Sequence, residues 1–351
     1  MNLDSTKHLA LVGRLTLNMA SLNNEGTEGN AIQPRTATVV QNGKLYTVPT
    51  ISGDMLKYWH AKHLSGIAQD RDLPLCENVR RRSPDPNRLK GELADLGWVR
   101  KNVNIDNENV DDINMWSGSL KNEDEKKRAL EKELYRLVAS KCAVTDAHGL
   151  LITEVSPESE DEDGFNASVA VQRTGRVQVG YMVGRPKTNA TKHHIHAKYT
   201  KHRTGIRSRE SSSGEGQNLF TRPATSAEYA IVATVDLHGI GFNDEANRHE
   251  VEGDDLRARR KASVDALSQT LMNQPGANSS QQFPHVMGFE GAIVTSESNC
   301  PAPTVSAMRE GYRDTLDSLV KTSNQMSGDG SVEMAPIESL EETVEELSGS
   351  N

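Results

Sequence analysis

The sequence has few aromatic residues, few cysteines and no long apolar run. Phe, Trp and Tyr make up 4% of its 351 residues, which argues against a protein that stacks many bases on rings. The cysteines Cys76, Cys142 and Cys300 are far apart and have no metal-ligand spacing, so we expect reduced thiols in a cytoplasmic protein. No stretch approaches the ~18 apolar residues of a bilayer span, and residues 1–10 lack a secretory signal, so no membrane partner is expected.

The motifs of common catalytic and cofactor sites are also missing. The sequence has no phosphate-binding loop of the Walker type, no GxGxxG and no nucleophile elbow. His193, His194 and His196 could approach a Zn²⁺ ion, but no acid or cysteine is near them and the surrounding positive charge opposes a dication. We therefore expect no metal, no cofactor and no enzymatic activity.

Charge is distributed very unevenly. The formal net charge is −9, but residues 154–163 hold six acids and residues 326–351 hold seven, both without Lys or Arg. Residues 185–209 hold eight Lys or Arg, four His and no acid. A charge run is commonly a solvated face, but so long an acid-free run in an acidic protein indicates contact with a polyanion such as RNA.

Apolar spacing predicts alternating strands and helices. His8–Asn18 has the alternation of a half-buried strand, and Asn42-Gly43 predicts a hairpin between 36–41 and 44–48 that ends at Pro49. Ser52 is suited to cap the following helix. Further strands are predicted at 167–172, 175–183, 227–237 and 292–295, and further helices at 123–140, 255–272 and 304–320.

This order favours an α+β fold in which helices cover one face of an antiparallel sheet, with a ferredoxin-like (split βαβ) core. The charged stretch 70–150 is interpreted as an inserted subdomain. The tail 326–351 is predicted to be disordered and solubilising. Its apolar residues have helical spacing, so an alternative is a short helix that occupies the basic segment and competes with RNA. Those residues are Ile337, Leu340, Val344 and Leu347.

Two segments besides 185–209 have features of an anion site. The loop 21–35 combines glycines, which permit close backbone approach, with Arg35, whose guanidinium can bind phosphate. The segment 48–57 places Ser52 at a helix start and Lys57 about one turn later, where amides and charge favour an anion. The structural alternatives are an ordinary flexible loop and a plain N-cap beside a surface lysine.

These segments resemble the backbone subunit of the CRISPR-associated Cascade complex, in the DevR/Cst-like and Csa-like branch of the "Cas seven" family. The similar motifs cover most of 8–60 and 165–325 but little of 70–150. They are Gly13-Arg14-Leu15-Thr16-Leu17-Asn18, Ser21-Leu22-Asn23-Asn24-Glu25-Gly26, Gly29-Asn30, Val48-Pro49-x-Ile51-Ser52-Gly53-x-Met55-Leu56-Lys57-x-Trp59-His60, Gly180-Tyr181-x-Val183-Gly184, Gln217-Asn218-Leu219-Phe220 and Ser226-Ala227-x-Tyr229-Ala230.

The resemblance implies an RRM-like palm built from 1–69 and 151–325, with 70–150 as a helical fingers subdomain and about 185–222 as a thumb β-hairpin. It implies a non-catalytic subunit that binds guide RNA (crRNA) in several copies and presents it to target DNA. Related type III subunits carry a catalytic aspartate after the first strand, where this sequence has Glu25 and Glu28 but no Asp. A metal-dependent ribonuclease and a nucleic-acid-binding transcriptional regulator are the alternatives.

The expected partners are crRNA, further copies of the chain, other Cascade subunits (a small Cas five-like capping subunit and a large subunit) and target DNA through the guide. The residues expected to contact RNA lie in the three segments or flank them. They are Asn23, Asn24, Gly26, Arg35, Ser52, Lys57, His60, Lys192, Lys198, Lys201, Arg203, Arg207, Arg209, Gln217 and Asn218.

Overall fold

The computed structural model of the chain describes residues 2–22, 24–28, 31–81, 123–155, 169–198, 218–274, 276 and 280–349. The described strands are β1 (His8–Ala20), β2 (Asn24–Glu28), β3 (Ala31–Pro34), β4 (Thr36–Gln41), β5 (Lys44–Ile51), β6 (Leu150–Val155), β7 (Val169–Arg173), β8 (Val177–Val179), β9 (Met182–Lys198), β10 (Asn218–Asp236), β11 (Phe242–Asn243), β12 (Arg248–His249), β13 (His285–Ser296) and β14 (Val332–Ile337). The described helices are α1 (Gly53–Asp70), α2 (Glu77–Arg81), α3 (Glu123–Ser140), α4 (Ala143–His148), α5 (Gly253–Met272), α6 (Tyr312–Ser327) and α7 (Leu340–Ser348). None of these helices combines the length and apolarity of a membrane span.

The main sheet has the strand order β14-β13-β1-β10-β9-β5-β4. Its centre is β13-β1-β10-β9, and each neighbouring pair there is antiparallel. Along the chain these strands alternate with two helices, in the order β1, α1, β9, β10, α5, β13. This order and these directions are those of a split βαβ core, so the α+β fold predicted from the sequence is confirmed.

Both faces of the sheet are apolar, and both are covered. Leu9, Leu11, Leu15 and Leu17 of β1 are fully buried in the core that also includes residues of α1 and α5. The alternate residues Ala10 and Val12 pack in a second core against α6. The prediction that helices cover only one face was therefore wrong, because both sets of alternating side chains in β1 need burial.

The hairpin and helix signals near the amino terminus are confirmed. Asn42 and Gly43 both have positive φ, 51° and 73°, as a two-residue turn between twisted strands requires. Strand β5 continues past Pro49, however, because Thr50 N donates to the Arg35 carbonyl at 2.9 Å and prolongs the pairing. The Ser52 hydroxyl then accepts from Met55 N at 3.3 Å and caps α1.

Helices α3 and α4 belong to the palm core and not to a separate subdomain. Leu134, Leu137 and Val138 of α3 are fully buried in the same cluster as Leu56 and Leu64 of α1. The predicted boundary at residue 150 was therefore wrong, since the apolar face of α3 is satisfied by the core. Residues 82–122 of the expected fingers lie outside the described residues.

The acidic tail is folded. Strand β14 pairs antiparallel with β13 from Gly291–Ile337 to Ser296–Val332, and α7 packs on α5. Ile337 is 1% exposed and Leu347 0%. The predicted disorder was wrong, because burial of this apolar spacing outweighs the acidic composition. The apolar spacing correctly indicated a helix. Its apolar side chains pack against the core, so the hypothesis that the tail occupies the basic segment was wrong.

A buried carboxylate joins the helices to one end of the sheet. Asp146 in α4 is 0% exposed and accepts two hydrogen bonds from Gly241 N, at 3.0 and 2.9 Å. It also pairs with Arg173 of β7 and, at 3.4 Å, with Arg259 of α5. Both arginines are 3% exposed at the side chain. The Asp146 carboxylate therefore holds together α4, β7, α5 and the loop after β10.

We predict that Leu347→Ala lowers the free energy of unfolding by about 2–5 kcal/mol, because it leaves a cavity where α7 meets the core. Glu345→Ala, on the exposed side of the same helix, should change it by less than about 0.5 kcal/mol. Urea unfolding of both variants checks the difference. Equal, near-zero effects would mean that α7 does not contribute to the fold.

Replacing Asp146 with Ala should cost about 3–5 kcal/mol, because the buried guanidinium groups of Arg173 and Arg259 then lose the fully buried carboxylate that they share and keep only the more exposed Asp244 and Asp255. The matched control is Asp244→Ala, which removes a 53%-exposed partner of Arg173 and Arg176 and should cost no more than about 1 kcal/mol. Chemical denaturation at pH 7 measures both. A loss at Asp146 no larger than at Asp244 would contradict the central role of this ion pair.

Candidate nucleic-acid interface

Strands β9 and β10 form the two arms of a long hairpin. Their pairing runs without a break from Ala190–Ser226 to Lys198–Asn218. At the root, β9 bulges between the partners of Ala227 and Tyr229, where Lys187 has a φ of 74°. The arms show that 185–198 and 218–222 belong to a hairpin, while a thumb role for about 185–222 stays a prediction and residues 199–217 lie outside the described residues.

One face of this hairpin is basic. Directly opposed residues in an antiparallel pair share a face, and the pairs His196–Phe220, His194–Arg222 and Lys192–Ala224 follow each other on that face. Lys192 and His194 are exposed, and Arg222 is half-buried. No acid occurs in 185–198 or 218–227, so the positive charge of the arms has no carboxylate partner within them.

The arginines at the root have a different role. Arg185 pairs with Glu228 and Glu310, and Arg14 lies 3.3 Å from Glu290 and 3.5 Å from Glu310. These contacts tie β1, β9, β10 and β13 to the segment before α6. Because their charge is already neutralised, Arg14 and Arg185 are structural, and the cations open to a ligand lie further out on the arms.

Two of the three segments singled out in the sequence, 21–35 and 48–57, meet at a narrow cleft beside the hairpin root, and β10 forms its third wall. Its walls come from the end of β1 and the following turn, from Arg35, from the end of β5 and from β10. Arg35 Nη1 approaches the Tyr181 hydroxyl at 3.5 Å, and Thr225 hydrogen-bonds Thr191 at 3.0 Å. The lining residues are Ala20, Ser21, Leu22, Pro34, Arg35, Pro49, Thr50, Ile51, Pro223, Thr225 and Tyr229.

The glycine-containing loop 21–30 is partly a second, short hairpin. Strands β2 and β3 pair antiparallel, and Ala31 of β3 pairs in parallel with Thr221 of β10. Gly26, in β2, has a φ of 120°, and a Cβ there would meet no atom within 4 Å. The backbone at Gly26 is therefore accessible to a ligand beside the hairpin arm. Asn23 lies outside the described residues, and Asn24 pairs with Pro34.

His60 does not contribute to a basic surface. It is 0% exposed, and its ring nitrogens lie 2.9 Å from His148 Nε2 and 2.9 Å from the Ser263 carbonyl. Burial lowers the pKa of His60 from 6.5 to about 4. The prediction that His60 contacts RNA was wrong, because its position on α1 faces α4 and α5 and keeps the ring neutral at pH 7.

Ser52 and Lys57 do not line the cleft. Ser52 is 5% exposed and its hydroxyl caps α1, which leaves little surface for a phosphate. The Lys57 Nζ lies 3.2 Å from the place that a Cβ on Gly175 would occupy. A phosphate contact for Lys57 stays a prediction, and it concerns a surface other than the cleft.

Sequence reasoning missed Thr50, Tyr229 and Arg222. Thr50 and Tyr229 carry hydroxyls within apolar strand patterns, where side chains are ordinarily assigned to the core. Arg222 lies beyond the acid-free run 185–209 and joins it only through strand pairing with His194. Among the described residues, no group of three or more His, Cys, Asp or Glu is placed to hold a metal ion.

The sequence matches the family model described as "CRISPR-associated negative auto-regulator DevR/Csa2" over residues 11–316. The chain belongs to this DevR/Csa2 family. It is 25% identical over 337 residues to the CRISPR-associated protein Cas7/Cst2/DevR of Methanocaldococcus jannaschii, covering 91% of this chain and 90% of that protein. It is also 25% identical over 327 residues to the CRISPR-associated protein Cas7/Csa2 1 of Saccharolobus solfataricus, covering 89% and 87%. The family resemblance inferred from the motifs is confirmed.

Solved structures that match this chain include a "CRISPR RNA-guided surveillance complex, pre-nicking", at a TM-score of 0.44 and 11% identity over 94% of this chain and 92% of that one. Another is the crystal structure of Thermofilum pendens Csc2, at a TM-score of 0.35 and 12% identity over 98% and 83%. The family match begins within β1 and ends within α6, so β14 and α7 follow the matched region.

The His60–His148 pair predicts a defined pH dependence of stability. His60 is neutral in the fold down to about pH 4, whereas an unfolded histidine binds a proton below about pH 6.5. The free energy of unfolding is therefore unaffected by the titration of His60 above about pH 6.5. As the pH falls towards 4, protonation of the unfolded His60 lowers this free energy by about 3 kcal/mol in total. Burial also lowers the pKa of His148, so it acts in the same direction.

Chemical denaturation between pH 7.5 and 4 measures this loss. His148→Gln should make the decline shallower, because one buried imidazole no longer titrates on unfolding. His194→Gln, on the exposed hairpin arm, is the control and should leave the profile unchanged. Identical profiles for His148→Gln and the unsubstituted protein would contradict the assignment.

Proposed function

We propose that this chain is a non-catalytic subunit that binds single-stranded guide RNA in a cytoplasmic CRISPR-associated complex, with several copies along one RNA. The observation that carries the proposal is the convergence of Arg35, residues 21–22 and the end of β5 beside hairpin arms that contain no acidic residue. Membership of the DevR/Csa2 family, and relatives named as CRISPR-associated Cas7 proteins, support the same function.

In this function the protein contacts the RNA backbone and leaves sequence recognition to base pairing with target DNA. The exposed amine of Lys192 and the guanidinium groups of Arg35 and Arg222 offer donors to phosphate oxygens along one path. Gly26 allows the RNA to approach the backbone of β2 closely. The chain's aromatic content of 4% suits backbone contact better than base stacking.

The hairpin tip would extend this path to the next copy. Lys201, Arg203, Arg207, Arg209 and Gln217 lie outside the described residues, and their RNA contacts stay predictions. Lys198 and Asn218 end the described arms as a facing pair, so the tip residues continue from the basic arms. A hairpin placed in this way would bridge RNA held by neighbouring copies, and other subunits of the complex would bind the ends.

A second candidate is suggested by the family's description as a negative auto-regulator. A regulator would bind duplex operator DNA in preference to single-stranded RNA. Competition between an unstructured RNA and a duplex DNA of the same length separates the two functions. A ribonuclease, the third candidate, would cleave labelled RNA in the presence of Mg²⁺ or Mn²⁺, whereas we expect the RNA to stay intact.

We predict that the double variant Lys192→Ala, Arg222→Ala lowers affinity for unstructured RNA by about 10-fold at 150 mM salt. The slope of log affinity against log salt should become shallower by about 1.4, or ~0.7 per lost phosphate contact. Fluorescence anisotropy between 50 and 200 mM salt measures both quantities.

The matched control is Lys321→Ala, Arg257→Ala, which removes the same two charges from exposed positions on α6 and α5. It should leave the slope unchanged. An equal loss in both double variants would indicate a general charge effect and would argue against a binding path along the hairpin.

A further inference from the structure

The cleft beside the hairpin root contains two buried hydroxyls, and the described residues leave one of them without a hydrogen-bond partner. Thr50 is 3% exposed, and its Oγ1 has no partner in the described part of the chain. Tyr229 lines the same cleft, is 2% exposed and brings a second hydroxyl to it. Burial raises the pKa of Tyr229, so this hydroxyl remains a proton donor at any physiological pH.

The cleft is small, and both polar atoms and apolar side chains line it. Its volume is about 10 Å³, which is the space of one water-sized group. Leu22, Ile51 and the prolines 34, 49 and 223 surround it. A hydroxyl left unpaired in such surroundings costs about 1–3 kcal/mol, so a ligand that completes both hydrogen bonds gains specificity.

We infer that this cleft receives the 2′-hydroxyl of one guide-RNA ribose, held by Thr50 and Tyr229. The inference rests on the proposed function and deepens it, because it identifies how the protein distinguishes RNA from DNA. A 2′-hydroxyl both donates and accepts a hydrogen bond, so it can pair with both protein hydroxyls at once. Arg35, which also lines the cleft, is placed to bind a phosphate adjoining that ribose.

The size of the cleft excludes a base from a space for one water-sized group. A single phosphate oxygen could enter it and accept from both hydroxyls, but that contact would be the same for RNA and DNA, so equal binding of the two would assign the cleft to phosphate. A deoxyribose presents only C–H at the 2′ position and gives neither protein hydroxyl a partner. The remaining alternative is a permanently bound water, which would stabilise the protein equally with RNA and with DNA.

The test compares three ligands of one unstructured sequence: RNA, DNA and 2′-O-methyl RNA. The 2′-O-methyl form retains the sugar pucker of RNA but is too large for the cleft, so it separates a hydroxyl contact from a preference for sugar shape. We expect the full-length protein to bind RNA at least 10-fold more tightly than either other ligand, measured by anisotropy at one salt concentration.

Two variants remove one hydroxyl each while keeping the shape of the side chain: Thr50→Val and Tyr229→Phe. Each should reduce the RNA-to-DNA affinity ratio by about 3- to 10-fold and leave DNA affinity nearly unchanged. The controls Thr47→Val and Tyr46→Phe make the same chemical changes on β5 outside the cleft. They should preserve the ratio.

Each outcome separates the inference from the function on which it rests. Failure of the unsubstituted protein to bind single-stranded RNA would overturn both. Tight but equal binding of RNA and DNA, or of RNA and 2′-O-methyl RNA, would overturn only the inference. Variants that melt at a lower temperature but keep the full ratio would identify a structural water and overturn it too. Because the ligand comparison needs no variant, misfolding of Thr50→Val leaves the test decisive.

Discussion

The buried carboxylate of Asp146 is the interaction on which the helical side of the molecule depends. Two arginines converge on it, and their remaining donors are satisfied by backbone carbonyls. Arg173 reaches Gly239 and Phe242, at 2.9 and 2.7 Å, and Arg259 reaches Ala139 and Ser140, at 3.1 and 2.6 Å. A buried ion pair is tolerable only when such hydrogen bonds offset the desolvation of its charges. The ends of α3 and α4 are thereby fixed against α5 and the loop after β10.

This arrangement distinguishes two regions of the sheet. The Asp146 carboxylate and the two arginines that contact it have hydrogen-bond partners within the protein, and these contacts stabilise the fold. Around the root of the β9–β10 hairpin, the pairs of Arg14 and Arg185 with their glutamates hold the strands together, while Lys192 and His194 remain exposed beyond them. The buried hydroxyl of Thr50 also belongs to this second region, because it lines the cleft and no described residue forms a hydrogen bond with it. A binding surface positioned by a rigid core is the usual consequence of such a division.

Local signals in the sequence were sufficient wherever a short pattern decides the structure. Asn42-Gly43 specified its turn, Ser52 its helix cap, and the spacing in 123–140 and 255–272 two long helices, because each depends on neighbouring residues. The signals failed where tertiary contacts decide. The helix predicted at 304–320 begins only at Tyr312, and β13 is twelve residues long because it pairs with both β1 and β14.

The candidate site shows the same limit. Arg35 and Lys192 could be identified because charge and glycine content mark their segments. His60 could not be excluded from the sequence, since helical spacing does not reveal that α4 brings His148 against its ring. Thr50 and Tyr229 could not be assigned to a binding site from the sequence, although Tyr229 belongs to a family motif, because only strand pairing brings the two residues to one cleft.

The position of the tail explains how an acidic protein can bind RNA. Helix α7 is capped by Ser339, whose hydroxyl accepts from Glu342 N at 3.0 Å, and it presents Glu341 and Glu345 to solvent. Because Leu347 anchors this helix to the core, these charges hold fixed positions and cannot fold over the hairpin. A fixed negative surface repels RNA, while the acid-free arms attract it, and both effects act over about 8–10 Å at physiological salt. A net charge of −9 is therefore compatible with RNA binding: the excess acid restricts attraction to the hairpin, where the cations open to a ligand lie.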